Sequence, residues 1–184
     1  MLTLEQVLNF RRRMVRLPCL DPEMDRIAPK RLLFELCRSG ETYFLKRTFD
    51  EKIVHVRSGK VFVFVVLASR PTQVFCVPAY SNSTADEINF RNFPPELELG
   101  HTSITRASPV FYAGEFVLEK SELFAWDNES GHYKPTRYSH EINLLPPVKH
   151  LLPLRKRAPA GGAEAAFRRV QRQRLLNPDT YSFQ

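Results

Sequence analysis

Val61-Phe62-Val63-Phe64-Val65-Val66-Leu67 decides the fold. It is an unbroken run of β-branched and aromatic residues, and such a run reads as a strand buried on both faces. A short turn with Arg70-Pro71 follows, then Gln73 to Val77, so the pair reads as a hairpin. Further along, short strands are expected at about 101–105, 111–119 and 122–126, with Tyr133-Lys134-Pro135 extended because proline disfavours the helical region in the residue before it. Between these strands, residues 80–99 form a long polar stretch with Ser81-Asn82-Ser83 and Pro94-Pro95; an ordered loop of that length often caps a site.

Outside this centre the pattern changes. Residues 3–16 read as an amphipathic helix, with Thr3 and Gln6 as a capping box and Leu4, Val7, Leu8, Met14 and Val15 mostly on one stripe. A second helix is expected from Pro29 to Arg38, with proline early and Gly40 just past its end. Residues 42–57 alternate like strands. After Pro146-Pro147 and Pro153, Arg155 to Gly162 reads as a flexible linker. Residues 163–176 are helix-prone and basic, and residues 155–184 are expected to be dispensable for folding because apolar anchors are few. The expected fold is α+β: a central antiparallel β-module of about 5–7 strands, N-terminal helices and a basic C-terminal helix. Its expected divisions are a lead-in over 1–58, a β-rich functional module over 59–145, and a Pro-rich linker with a basic tail over 146–184.

Charge follows the same division. The chain carries +7 in 184 residues, but about +4 lies in 1–59, −3 in 60–136 and +6 in 137–184. A nucleic-acid surface is less expected when the functional module is mildly acidic. The basic tail suits an acidic partner or an anionic surface. Cys19, Cys37 and Cys76 are odd in number and lack metal-ligand spacing, which disfavours a disulfide framework and a zinc site. No apolar run is long enough to span a membrane. Met1-Leu2-Thr3-Leu4 meets Glu5 at once, so the start does not read as a Sec signal peptide. The expected location is the cytoplasm of the producing cell, or a target cell reached through a specialised secretion system.

Polar residues interrupt the central strands. His101, Ser103 and Thr105 alternate and would share one strand face. Gly114 precedes Glu115 inside the apolar run Val110 to Leu118, and a strand glycine allows close approach to the backbone. Sheet pairing is expected to bring His101, Glu115 and His132 to one edge. Singly, each is more often a turn or a solvated group than a functional one.

The ordered set Lys60–Leu67, Gln73–Val77, Gly100-His101-Thr102-Ser103, Tyr112-Ala113-Gly114-Glu115 and Ser130-Gly131-His132-Tyr133-Lys134-Pro135-Thr136 resembles a module of the plant IQ-motif calmodulin-binding proteins. It also resembles the C-terminal region of bacterial secreted toxins and effectors. Thr102 stands where serine is usual, and Glu115 is similar to the toxin-like members. A more distant likeness joins the latter to ADP-ribosyltransferases. That likeness implies an enzyme that uses NAD as substrate, needs no metal and transfers ADP-ribose to a macromolecular acceptor such as a protein. Glu115 would stabilise the cationic sugar and His101 would hold a ribose hydroxyl. Ser103, His132 and Tyr133 would bind the cofactor. The plant resemblance implies the alternative, a non-catalytic protein-interaction module. In that case Glu115 or His132 is expected to make a sheet-corner hydrogen bond.

Overall fold

The computed structural model describes residues 3–21, 26–57, 59–79 and 99–176. The expected helix cap is present: Thr3 Oγ1 accepts from Gln6 N, Gln6 returns to Thr3 N, and α1 runs Leu4–Arg13. Seven strands follow: β1 (Phe34–Ser39), β2 (Thr42–Arg47), β3 (Ile53–Val54), β4 (Lys60–Leu67), β5 (Phe75–Pro78), β6 (Val110–Glu119) and β7 (Glu122–Trp126). They make one antiparallel sheet in the order β3-β2-β1-β5-β4-β6-β7. The short helices α2 (His101–Thr105), α3 (Ser139–Asn143) and α4 (Pro146–Leu151), with the longer α5 (Gly162–Leu176), complete an α+β fold. No described helix is long and apolar enough to cross a membrane.

The apolar run around Phe64 is the centre of the sheet. β4 lies between β5 and β6, and nearly all of it is buried. Phe62, Phe64 and Val66 point to the inner face, where they meet Tyr112, Phe116 and Leu118 of β6 and Trp126 of β7. The Phe62 and Phe116 rings stack at 5.2 Å between centroids. The sheet curls strongly, as right-twisted strands with bulges do. Its first strands thereby reach the β6–β7 turn: Tyr43 N donates to Ser121 O at 2.7 Å, and Ser121 N to Val56 O. Leu144, Leu145, Val148 and Leu152 of the α3–α4 region join this inner cluster. Tyr43 Oη donates to Leu151 O, tying α4 to β2.

The outer face carries two smaller clusters. Val65, Phe75, Val110, Ala113 and Tyr133 form one. Val61, Val117, Ala125, Ala163 and Phe167 form the other.

Four local expectations fail for physical reasons. Residues 34–38 of the expected second helix belong to strand β1, preceded by a single tight turn at Lys30–Leu32. Phe34 and Leu36 alternate inward, and β1 is claimed by β2 on one side and β5 on the other. Residues 101–105 are helix, not strand. Lys134 has φ +41 rather than an extended conformation, because its N–H closes a turn onto Ser130 O. The 155–162 segment is pinned: Arg157 bridges Trp126 in parallel, and Ala158 N donates to Trp126 O at 2.7 Å.

The C-terminal helix also docks, contrary to the expectation of a dispensable tail. Phe167 is buried and meets Phe124 edge-on at 5.4 Å. Its ring sits on the bare backbone of Gly59, where a Cβ would fall inside the ring. Arg174 pairs with Glu119, and Gln171 Nε2 donates to the same carboxylate. Leu175 and Leu176 remain exposed. The long loop expected over 80–99 falls, but for Leu99, outside the described residues.

Candidate functional site

The structure places the signature residues by a different geometry from strand alternation, because residues 101–105 are helical. Ser103 Oγ accepts from Gly100 N at 3.1 Å and starts α2 by satisfying one free helix-end amide. Arg106 and Ala107, at φ +51 and +59, end it. In a helix, residues four apart share a face. His101 and Thr105 are such a pair, and His101 reaches β6 while Thr105 reaches Tyr133.

His101 is 5% exposed, and its Nε2 lies 3.0 Å from Gly114 O. A carbonyl only accepts, so Nε2 carries the proton. Thr105 Oγ1 lies 2.6 Å from Tyr133 Oη, which donates to Ser108 O at 2.8 Å. The threonine is therefore the donor to the phenol. Burial pushes Tyr133 up to about 12, with the Thr105 hydrogen bond working the other way. Tyr133 N in turn donates to Ser130 Oγ. One continuous set of bonds thus joins α2, β6 and the Ser130–Tyr133 turn.

Gly114 admits a second close approach. A Cβ there would overlap the carbonyl oxygen of Asp127 and come within 3.0 Å of the Phe64 ring. Asp127 N donates to Glu115 O at 2.8 Å. Asp127 is fully buried; its Oδ2 accepts from Ala163 N and its Oδ1 from Glu129 N. It therefore caps α5 from the end of β7. Burial raises its pKa, while the amides of Ala163, Glu129 and Glu115 pull it back.

Glu115 lies between Ala113 and Val117 on the outer face, opposite Val63. Its pKa is pushed up to about 7, first by burial and then by Asp127, Glu164 and Glu129. Among the described residues its carboxylate accepts no hydrogen bond. The sheet-corner bond expected of Glu115 is made instead by His101, one residue away, at Gly114.

His132 is only half-buried; its carbonyl accepts from Leu20 N. His101 and Glu115 are thus neighbours through Gly114, and Ser103 and Tyr133 support the same helix and turn. Among the described residues no three His, Cys, Asp or Glu side chains are placed to hold a metal ion.

Sequence reasoning passed over a second cluster, around Trp126. His140 stacks on one face of this indole at 5.4 Å, and the Arg157 guanidinium lies over the ring at 5.5 Å. Trp126 Nε1 donates to Pro153 O, and Tyr112 meets the ring edge-on. Burial lowers the His140 pKa and pushes Tyr112 up to about 12. Asn143 clasps the chain after α1 to β6, exchanging bonds with Val15 and donating to Phe111 O. The lone tryptophan of the chain was the one available signal for this cluster. No family model, curated protein or solved structure matches the chain.

Proposed function

We propose that the chain is a non-catalytic protein-interaction module, whose signature residues lock the fold and whose basic flanks meet an acidic partner. One observation carries this reading. His101, Ser103 and Tyr133 commit polar atoms to the chain's own backbone and side chains, at Gly114 O, Gly100 N, Ser108 O and Thr105. A site for NAD needs such groups turned toward a ligand.

A second reading, ADP-ribose transfer by a secreted bacterial effector, is favoured by Glu115. Burial and neighbouring carboxylates raise its pKa, and groups perturbed in this way cluster at functional sites. A pKa of about 7 leaves it only partly ionised near neutrality, however, and a cationic sugar calls for the carboxylate.

Nicotinamide release from NAD, measured with candidate acceptor proteins present, separates the two. The interaction reading predicts no release above the protein-free rate. Sustained release that Glu115→Gln lowers by about 10²–10³ would overturn it.

A further inference from the structure

We propose that the open groove bounded by Asn128, Arg137, Leu154, Arg157 and Pro159 binds an oxyanion on an extended, acidic segment of a protein partner. The protein nature of the ligand rests on the interaction reading above; the oxyanion site rests on the groove alone.

The groove has a volume of about 610 Å³. Arg157 is built into its wall rather than waving above it. Its guanidinium lies over Trp126, Nη2 donates to Asn128 Oδ1 at 3.1 Å, and Nη1 to Arg137 O at 3.4 Å. Asn128 is itself held by its donation to Pro135 O at 2.7 Å. Two of the five guanidinium N–H groups are used in this way, which fixes the plane and leaves the others for a ligand. Neither Arg157 nor Arg137 has a carboxylate partner among the described residues.

A half-buried guanidinium without a counter-ion, oriented in advance, is matched by a carboxylate or a phosphate, which takes two parallel N–H bonds. Arg137 adds a second, exposed positive charge, and Arg155 and Lys156 lie next along the chain. The remaining wall is apolar: Leu154 is 54% exposed, with Pro159 beside it. An extended peptide that alternates acidic and apolar side chains satisfies both surfaces. Glu129 lies near Gly161, just past Ala160 of the groove wall, and sets a repulsive limit on that side.

Fluorescence polarisation on the full chain tests this, using a labelled glutamate-rich peptide, the same peptide bearing phosphoserine, and a lysine-rich control. Inorganic phosphate serves as competitor. At least one acidic peptide is expected to bind, more weakly as salt rises. The better of the two identifies the oxyanion. Arg137→Glu should weaken binding about tenfold or more. Arg157→Lys, which keeps charge but loses the planar fork, should also weaken it, with circular dichroism checking the fold. Arg172→Glu on the exposed face of α5 should leave affinity within about twofold. Failure of both acidic peptides to bind wild type, or binding indifferent to Arg137→Glu, overturns the groove. Loss confined to Arg172→Glu moves the contact to the tail and leaves the interaction reading standing. NAD turnover by wild type would sink that reading separately, without touching the groove titration.

Discussion

Gly114→Ala is the sharpest structural perturbation available. Nothing in its backbone angles demands glycine, since Gly114 is not among the positive-φ residues. The constraint is space: an added methyl meets the Asp127 carbonyl oxygen and the Phe64 ring. The first obstacle is backbone, so the end of β7 must move. Overpacking of this kind costs about 1–3 kcal/mol. Moving Asp127 also strains its N–H bond to Glu115 O, worth about 1 kcal/mol, and its cap on α5. The expected loss is about 2–4 kcal/mol, or a fall in Tm of roughly 5–15 °C for a chain of this size. Gly131 supplies the internal control, because nothing lies within 4 Å of a Cβ there. Gly131→Ala should change stability by less than about 1 kcal/mol, if anything upward through reduced chain entropy. Urea unfolding of both variants measures the difference. Equal stabilities would refute the claim that Gly114 is kept bare for Asp127.

Phe167→Ala should cost about 3–5 kcal/mol and release α5 from Gly59, seen as faster amide exchange over 162–176. Stability should fall as pH rises from about 4.5 to about 7, because the folded state holds the Glu115 proton more tightly than the unfolded chain does. Screening at this partly open group limits the effect to about 1–2 kcal/mol. Glu115→Gln should flatten that slope and be no less stable than wild type at pH 8; an unchanged slope in urea titrations against pH would contradict the assignment.

Much of the fold is legible in the residues because local and global preferences agree there. Val61 to Leu67 can only be a buried strand, and the Thr3–Gln6 cap announces α1. The misread segments are those where distant residues decide. Phe34 to Arg38 carries a helix-like frame, yet two neighbouring strands bid for its backbone. His101 to Thr105 alternates like a strand, but Ser103 folds back on Gly100, and His101 and Thr105 find partners at Gly114 and Tyr133. The basic strap at Arg157 looks solvated until Trp126 is placed beneath it. His101 reaches the Gly114 carbonyl, one residue along the strand from Glu115. Their chemistry was not legible, because the sequence does not say whether a polar group faces a ligand or its own backbone.

Tyr133→Phe tests most directly whether the signature locks the fold. It removes one oxygen and almost no volume, leaving Thr105 Oγ1 and Ser108 O without their partner. The account predicts a loss of about 1–3 kcal/mol in urea unfolding. Unchanged stability would contradict it.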